Sequence, residues 1–508
     1  MTESKIKPPR EVRSPDSSAG SGVTPVERSG RRQVDRFKLK PQACADGPFK
    51  GYYGLDRINS VGLRDKALVF NNLIHHLNED NLSQAFRGLD GSKAVGIDQV
   101  TKSEYGHNLH ANIAVLTDQI RGGGWRPRPT REVLIPKPSG GTRPLAIGCL
   151  EDKIVQTLVA KMLEALYEPL FHRHSYGFRP KRSAHQALAK AHSAITKRGK
   201  HSVVVEMDIE KFFNHVDHEK LMRFLEKRIS DQHFLRLIKR MLRNSILTEQ
   251  GKLVDNITGT PQGSPASPVL ANIYLHYVLD EWFDQNYIAK GEIVRYADDA
   301  MFIFDDLAVA KKFRAHLGER FAEYGLRMNE DKTGVVEFGP RAKSGIIGFV
   351  GFILYWGKTA ITKTTLKVRT APERYKRSIQ NFQAWVKANV NRLPTKELWK
   401  SIAVRLRGHY NYYGVKFNGK QVYRFYFACL KLVFKWMNRR SQKRSYTGPE
   451  FARKLMFNPL PKPPLGYETI DITSEHGTEN KHKTKSRVRK LRKHGSVRSG
   501  SRQRLLFT

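Results

Sequence analysis

Hydrophobic residues recur along this chain in two distinct spacings. In four long stretches they return every three or four residues, as on a helix with one buried face: 68–89, 154–166, 270–282 and 310–324. Elsewhere, short apolar runs are bounded by Gly, Pro or Asp, which is typical of strands. Helices and strands therefore both occur over the first 360 residues, and we predict a mixed α and β fold.

Two apolar runs flank a pair of adjacent acids, Asp298 and Asp299, within residues 293–304. This pattern predicts a strand, a tight turn and a second strand, with the carboxylates at the tip. Adjacent carboxylates repel each other and are tolerated where a divalent cation neutralises them. An Asp-Asp turn alone is more often a solvated loop, so a metal site needs further ligands.

A third acid follows another apolar run. Residues 203–209 predict a buried strand that ends at Asp208. An acid at a strand end is usually a helix N-cap or a surface group, but Asp208 is the best candidate for a third metal ligand. Phosphoryl transfer by two Mg²⁺ ions requires such a carboxylate set.

Three Gly-rich or basic segments suit a phosphate-containing partner. Residues 131–148 predict a hairpin with its turn at 139–141, where Lys137 and Arg143 either form an ordinary exposed basic hairpin or grip phosphates. Residues 175–183 place three cations around two aromatic residues, which suits base stacking and phosphate contact. Residues 259–268 form a Gly/Pro/Ser loop that leads into a helix and brings backbone N–H groups close to a ligand.

The character of the sequence changes near residue 360. Three stretches with helical spacing follow, at 375–386, 399–406 and 422–436, all rich in Lys and Arg. They predict a basic three-helix bundle. Most of its aromatic residues fit core packing, but the segment between the second and third helices, 406–415, is too aromatic and polar for a core alone.

The net charge of the chain indicates which class of molecule it binds. The chain has 508 residues, and 89 Lys and Arg against 48 Asp and Glu leave a formal charge of +41. Such an excess indicates a long polyanion, most plausibly nucleic acid. A membrane surface is the competing target, but no apolar run approaches the roughly 18–20 residues that span a bilayer, and the N-terminus is polar and lacks a signal-peptide core.

The three cysteines, Cys44, Cys149 and Cys429, are far apart in sequence. They allow neither a disulfide framework nor a paired-cysteine zinc site, and reduced thiols in the cytosol are the expected state. We therefore expect a cytoplasmic protein of the bacterial cytosol or nucleoid, without membrane association.

The ordered motifs resemble those of reverse transcriptases, specifically group II intron-encoded proteins. The resemblance covers roughly residues 90–355 and rests on IPKPSGGTRPLAI, SYGFRPKRSAHQAL, DIEKFFNHVDH, GTPQGSPASPVLANIYL, RYADD, GLRMNEDKT and FVGF. Farther on, LRGHYNYYGV and WMNRRSQKRSY resemble the family's thumb and maturase domain X. Domain X distinguishes such chains from retroviral enzymes.

The resemblance implies an α+β right-hand polymerase with fingers, a palm built on an antiparallel sheet, and a helical thumb. The expected organisation is a disordered basic N-terminal extension at 1–50, fingers and palm at 51–357, thumb and domain X at 358–465, and a disordered basic tail at 466–508. Residues 478–508 hold eleven Lys and Arg and one Glu, as in an arm that binds nucleic acid.

The resemblance also implies roles for individual residues. Asp208, Asp298 and Asp299 match the catalytic, metal-binding carboxylates, with the Ile209 carbonyl as a further ligand for two Mg²⁺ ions that Mn²⁺ could replace. Asp298 is the better candidate for direct ligation, and Asp299 for charge and positioning. Predicted nucleotide contacts are Lys137, Arg143, Ile209, Phe213, Gln262 and Lys332. Predicted RNA contacts are Arg179, Lys181, Arg182, Arg407, His409, Tyr410, Arg439 and Arg440.

Phe213 matches a steric gate, because a ring below the sugar leaves no space for a 2′-hydroxyl and favours dNTPs. Lys332 is expected to assist or protonate the leaving pyrophosphate. Two residues depart from the family pattern: Lys211 replaces a frequent Gly, and Gly148 a common Pro. The zinc-bound HNH endonuclease of some members is not expected, because the sequence has no paired cysteines.

The expected function is RNA-directed DNA synthesis on an RNA template with a DNA primer, using dNTPs. The chain is also expected to act as a maturase that binds group II intron RNA in a ribonucleoprotein and acts at target DNA during retrohoming. Two alternatives remain: a domesticated host reverse transcriptase in phage defence or DNA repair, and a splicing-only RNA-binding maturase. The intact acids and the basic hairpin argue against the second.

Overall fold

The computed structural model describes residues 47–136, 141–341, 345–358, 364–440, 445–464 and 469–473. These residues all belong to the compact unit Ala43–Thr508. Lys137, most of the predicted N-terminal extension and most of the basic tail lie outside the described residues.

Sixteen α-helices are present in the described residues. Their bounds are α1 Leu55–Arg64, α2 Glu79–Gly88, α3 Lys102–His107, α4 Leu109–Arg121, α5 Leu150–Tyr167, α6 Ala184–Arg198, α7 Phe212–His215, α8 His218–Glu226, α9 Gln232–Leu242, α10 Ser267–Leu275, α11 Glu281–Asn286, α12 Leu307–Glu323, α13 Pro372–Asn389, α14 Thr395–Tyr413, α15 Gly419–Met437 and α16 Gly448–Phe457. Two 3₁₀ segments, Ile74–His76 and Gly199–His201, and a π-helical segment, His276–Asp280, complete the helical structure.

Eleven strands form three sheets in the same residues. The strands are β1 Thr130–Pro136, β2 Thr142–Ile147, β3 Val203–Met207, β4 Ile246–Leu247, β5 Leu253–Val254, β6 Gly291–Tyr296, β7 Asp299–Phe304, β8 Val335–Glu337, β9 Ile347–Phe349, β10 Phe352–Lys358 and β11 Thr364–Thr370. Their orders are β2-β1-β4-β5, β6-β7-β3-β8 and β11-β10-β9.

The sheet β6-β7-β3-β8 is antiparallel throughout. Its central strands β3 and β7 are almost wholly apolar, and helices cover them because such strands have no polar face to present to water. The register pairs Met207 with Ala300 and Tyr296 with Asp299. The residue after β3, Asp208, is thereby brought to the tip of the β6–β7 hairpin.

Helix caps follow local sequence. Thr101 and Ser183 each form a reciprocal capping box with the residue three positions later, and Asp217, Asp231 and Asp306 accept hydrogen bonds from the first backbone N–H groups of α8, α9 and α12. These side chains satisfy donors that the helix itself leaves unpaired. The helix starts therefore follow from local sequence, and Asp231 also accepts hydrogen bonds from the distant Leu73 and Ile74 N–H groups.

The predicted hairpins are confirmed, at β1–β2 and at β6–β7. The three predicted basic helices correspond to α13, α14 and α15, which share one apolar core with the additional helix α16. Residues 406–413 were expected to connect two helices, but they form the last turns of α14. No helix among the described residues has the length and apolar character needed to cross a bilayer.

Two further expectations need correction. The predicted single strand around residues 347–352 is two strands, β9 and β10, joined by a turn at Val350 and Gly351, which have φ values of 43° and 80°. The predicted domain boundary at residue 357 falls within the antiparallel pair β10–β11. The change to helical structure comes instead at Pro372.

Candidate active site

The tip of the β6–β7 hairpin is a two-residue turn made of Ala297 and Asp298. Ala297 has a φ of 60°, a left-handed conformation that a residue with a Cβ rarely adopts. Such strain costs free energy and persists only where surrounding contacts impose it. The turn therefore depends on the residues packed beneath and beside it.

Three carboxylates lie together at this edge of the sheet. Asp298 and Asp299 come from the hairpin, and Asp208 directly follows the neighbouring strand β3. Burial raises the pKa of Asp298, and the nearby carboxylate of Asp208 raises it further. Burial raises the pKa of Asp299 to about 7, with added repulsion from Asp298 and Asp208. Half-buried carboxylates that repel one another fit a divalent cation such as Mg²⁺, which prefers oxygen ligands.

The carboxylates have other partners in this conformation. Lys332 Nζ lies 3.0 Å from Asp208 Oδ2, and the Val350 N–H donates to Asp299 Oδ2 at 3.1 Å. No three His, Cys, Asp or Glu side chains within the described ranges converge closely enough to make a finished metal site. Metal binding therefore requires side-chain rotation and the displacement of Lys332 from Asp208.

The loop before β8 fixes the backbone on both sides of Ile209. The Asn329 N–H donates to the Asp208 carbonyl at 2.9 Å, and the Glu210 N–H donates to the Arg327 carbonyl at 2.9 Å. Ile209 is buried between these two bonds, opposite Met328. The predicted role of the Ile209 carbonyl as a metal ligand stays a prediction.

A buried arginine supports the hairpin from below. The Arg295 side chain is fully buried and forms a bidentate ion pair with Asp280, with Nε 2.8 Å from Oδ1. Its Nη1 donates to the Ala297 carbonyl and to Asn272 Oδ1, each at 3.0 Å. Asp280 ends the π-helical segment, a rare geometry that often marks functional sites. Arg295 thereby ties the strained turn to the helix behind the sheet.

A second support comes from the loop at Gly177. A Cβ at this position would lie 2.3 Å from the Ala297 nitrogen, so only glycine allows the two backbones to approach this closely. The Asn272 side chain donates to the Gly177 carbonyl at 2.8 Å, and the same Asn272 accepts from Arg295. The two supports therefore share one hydrogen-bond network.

The β9–β10 turn connects the acids to the helical region. Val350 has a φ of 43°, unusual for a β-branched residue. Its N–H donates to Asp299, while its carbonyl accepts a hydrogen bond from the Tyr412 hydroxyl at 2.8 Å. Tyr412 belongs to α14 and also contacts the ring of Phe352, with ring centroids 5.6 Å apart. Helix α14 is thus linked to the Asp299 carboxylate through a single residue, Val350.

We expect Tyr412→Phe to lower the rate of nucleotide addition several-fold. The substitution removes one hydrogen bond, worth about 0.5–1.5 kcal/mol, which holds the Val350 turn against Asp299. Single-turnover addition of one nucleotide measures the effect. Tyr413→Phe is the matched control, because the Tyr413 hydroxyl has no hydrogen-bond partner among the described residues. Equal rates for the two variants would contradict this positioning role.

A pocket of about 250 Å³ opens between the β1–β2 hairpin, the start of α7 and the loop at residues 256–262. Phe213 and Gln262, two of the predicted nucleotide contacts, line it together with Asn214. The Gln262 amide donates to Asn214 Oδ1 at 3.2 Å, and its carbonyl oxygen accepts from Arg143 Nε. The structure thus brings Arg143, Phe213 and Gln262 together.

The backbone conformation of Lys211, two residues before Phe213, shows why glycine is frequent at this position in the family. Lys211 has a φ of 43°, in the left-handed region that glycine adopts freely. A frequent glycine at this position accords with that geometry. The turn forms with Lys211 nonetheless, and α7 with Phe213 follows directly.

Three predicted RNA contacts, Arg179, Tyr410 and His409, have side chains that pack against other parts of the fold, and their role in RNA binding stays a prediction. Arg179 is buried; its guanidinium is paired with Glu168, with Nη2 2.8 Å from Oε1, and donates to two backbone carbonyls. Tyr410 is buried and donates to the Pro461 carbonyl at 3.1 Å. His409 is stacked on Phe425 with ring centroids 3.5 Å apart, and burial lowers the pKa of His409 to about 4.

The other predicted RNA contacts remain at the surface. Lys181, Arg407 and Arg439 are exposed. Arg182 is half-buried, over the Tyr176 ring, and donates to the Arg173 carbonyl, while Arg440 donates to Thr395. Their role in RNA binding stays a prediction.

Comparison with known proteins agrees with this geometry. Residues 135–360 match the family model described as reverse transcriptase (RNA-dependent DNA polymerase). The protein YkfC of Escherichia coli is 31% identical over 354 residues, which cover 63% of this chain and 87% of YkfC. The chain belongs to the group II intron-encoded reverse transcriptase family. Its α+β architecture is that of a right-hand polymerase, with the antiparallel β6-β7-β3-β8 sheet as the palm sheet. The assignment of the helices after residue 360 to the thumb and domain X stays a prediction.

Other relatives carry intron-related names. The group II intron-encoded protein LtrA of Lactococcus lactis is 33% identical over 224 residues, or 44% of this chain and 37% of LtrA. An uncharacterised 91 kDa protein in a cob intron of Schizosaccharomyces pombe is 46% identical over 170 residues, or 33% of this chain and 20% of that protein. The chain thus spans a fifth to two fifths of the length of these two relatives. The predicted α+β polymerase fold and the family are confirmed.

Proposed function

We propose that this reverse transcriptase family member copies RNA into DNA by adding dNTPs to a primer 3′-hydroxyl. The observation that carries the proposal is the convergence of Asp208, Asp298 and Asp299 at one edge of the palm sheet. The nucleotide pocket lined by Phe213 and Gln262 lies next to the strand end that carries Asp208. A cation site and a nucleotide pocket side by side are what phosphoryl transfer requires.

In the proposed mechanism, different residues hold the metal ions, the triphosphate and the hairpin. Divalent ions, Mg²⁺ or Mn²⁺, when held by the three carboxylates, would supply Lewis acidity for activating the primer hydroxyl and stabilising the leaving pyrophosphate. Arg143 would hold the triphosphate, because a guanidinium pairs with phosphate oxygens through two hydrogen bonds. Lys332, released from Asp208, would neutralise or protonate the leaving group. Arg295 and Val350 keep the hairpin in place.

Phe213 is proposed to exclude ribonucleotides by occupying the space beneath the sugar. We expect Phe213→Ala to lower the preference for dNTPs over NTPs on the order of 10–100-fold, because the hydroxyl is rejected by shape. The ratio of kcat/KM values for dCTP and CTP measures it. Phe213→Tyr retains the ring and is the matched control. Unchanged selectivity in the alanine variant would contradict the gate.

A primer-extension assay tests the reaction class. The full chain is incubated with an RNA template, an annealed DNA primer, dNTPs and Mg²⁺. We expect extension in Mg²⁺, none after chelation with EDTA, and recovery when Mg²⁺ or Mn²⁺ is restored. Failure to extend in either metal would overturn the proposal.

We further propose that the chain binds group II intron RNA as a maturase and acts on target DNA during mobility. The family, the names of the intron-encoded relatives and the net charge of +41 support this proposal. Sequencing the RNA that copurifies with the protein from its own host tests it. Enrichment of a group II intron is expected, whereas unselective cellular RNA would favour a domesticated host enzyme. A cytosolic location follows from the same proposal.

A further inference from the structure

One outer face of helix α9 carries only cations. Its exposed or half-buried positions from residue 236 onward are Arg236, Lys239 and Arg240, and Arg243 continues the stripe directly after the helix. The opposite face is packed into the core. A solvated helix face usually mixes charges of both signs, but α9 contains no acidic residue.

A fifth cation, from another part of the chain, lies beside this face. Arg126, from the loop before β1, lines a pocket of about 400 Å³ together with Arg236, Lys239, Arg240 and Arg243. Among the described residues, none of these five cations forms an ion pair. Asp255, which accepts a hydrogen bond from the hydroxyl of the lining residue Ser245, forms no ion pair with them.

The backbone holds two of these arginines side by side. Arg126 Nη1 and Arg240 Nη1 each donate to the Gly123 carbonyl at 2.9 Å, and both also donate to the Trp125 carbonyl, at 3.0 and 3.2 Å. Burial lowers the pKa of Arg240, and the neighbouring charges of Arg126 and Arg236 lower it further. Two guanidinium groups fixed on the same acceptors repel each other, and an anion between them would relieve that repulsion.

This pocket shares no lining residue with the nucleotide pocket, which it adjoins at Ser245 and Ile246. It lies where β1 and β4 begin, since Thr130 pairs with Ile246, whereas Arg143 pairs with Ile135 near the other end of β1. At a rise of about 3.3 Å per residue the two ends are roughly 17 Å apart. A nucleotide held by Arg143 therefore does not reach Arg126.

We propose that the cations of α9 and Arg126 form a binding site for the phosphodiester backbone of RNA outside the polymerase cleft. From Arg236 to Arg243 the helix rises roughly 10 Å, about three nucleotide steps along one strand. Guanidinium groups suit this partner because they donate two hydrogen bonds to a phosphate. Such a site reads charge and shape, not base sequence. The inference rests on the proposed function for the identity of the nucleic acid.

The test neutralises three exposed cations, Arg236→Gln, Lys239→Gln and Arg243→Gln, in the full chain. The matched control removes three exposed lysines from other elements, Lys66→Gln, Lys311→Gln and Lys312→Gln. The probe is a long structured RNA, and its affinity is measured from low to moderate salt. Thermal unfolding confirms that both variants fold.

We expect the α9 variant to bind RNA more weakly and with a shallower salt dependence. Removing three phosphate contacts should reduce the slope of log K against log salt by about 2, from the value of roughly 0.7 per contact for single strands. The control variant should retain a slope close to that of the unmodified chain. Equal slopes for the two variants would overturn the inference.

Two further measurements keep this inference distinct from others. Primer extension by the unmodified chain decides the proposed polymerase function independently of the α9 result. Binding of poly-glutamate identifies a protein partner instead: loss of poly-glutamate binding with unchanged RNA binding in the α9 variant would overturn the assignment to RNA.

Discussion

Asp298→Ala should reduce the rate of the first dNTP addition by at least about 10³-fold, since a metal ion at the reacting phosphate stabilises the transition state by several kcal/mol. The side chain sits at the hairpin turn, beside Asp208 and Asp299. RNA binding should persist, because the substitution removes a negative charge and leaves the basic surface intact. Single-turnover extension on a primed RNA template and a separate RNA-binding measurement check the two parts.

Asp305→Ala is the matched control. Asp305 directly follows β7, the strand that Asp299 begins, but its side chain is exposed and pairs with Arg198, far from the turn. Its replacement should leave the extension rate within about two-fold, because exposed ion pairs contribute little. Extension by Asp298→Ala at the rate of the Asp305 variant would contradict the assignment of Asp298.

Arg295→Met is expected to lower the free energy of unfolding by about 3–5 kcal/mol, because removing one partner of a buried ion pair leaves the other charge unpaired. Asp280 is as buried as Arg295, and Asn272 and the Ala297 carbonyl lose their donor as well. The turn that carries Asp298 then loses its support, so the extension rate should fall too. Chemical denaturation and single-turnover extension measure the two effects.

A double variant separates the missing charge from the missing support. Arg295→Met with Asp280→Leu removes both buried charges and should recover much of the stability, since apolar pairs often replace buried ion pairs without loss. It should not recover the extension rate, because the Ala297 carbonyl still lacks its donor.

The control for the single variant is Lys93→Met, at an exposed ion pair with Asp90, which should lower the free energy of unfolding by no more than about 1 kcal/mol. The account would be contradicted if Arg295→Met, like the Lys93 variant, lowered the free energy of unfolding by no more than about 1 kcal/mol.

The sequence predicts those parts of the fold that depend on local patterns. Strand β3 is apolar except for Glu206, and the β6–β7 hairpin is marked by two mainly apolar segments around Asp298 and Asp299. Both follow from the two-residue period of a strand, which holds whatever surrounds it. The three acids were placed correctly because they lie at the ends of these strands.

Features that depend on the packing of distant segments were not predictable in the same way. Arg179 was expected to contact RNA, but it pairs with Glu168 inside the fold. No role was predicted for Arg295, although its side chain supports the turn that carries Asp298. A single sequence shows that a residue is charged but not whether a partner is buried beside it, since that partner comes from another element. The only sequence signal that points to Arg295 is its position in the RYADD motif, next to the residues of the turn.

The turn at Val350 was missed for a similar reason. Its left-handed backbone conformation is imposed by contacts with Asp299 and Tyr412, from two distant parts of the chain. The glycine at position 351 suggested a close backbone approach within one strand, whereas the structure uses it to reverse the chain. Tertiary contacts decided between these two uses of glycine.

The central claim is that Asp208, Asp298 and Asp299 hold divalent ions beside the nucleotide pocket. Electron paramagnetic resonance of Mn²⁺ tests it most directly, with the full chain bound to an RNA template, a chain-terminated DNA primer and the next dNTP. We predict about two bound Mn²⁺ ions for the unmodified chain, as in two-metal phosphoryl transfer, and the loss of at least one in Asp298→Ala. The same number of bound ions in both proteins would contradict the account.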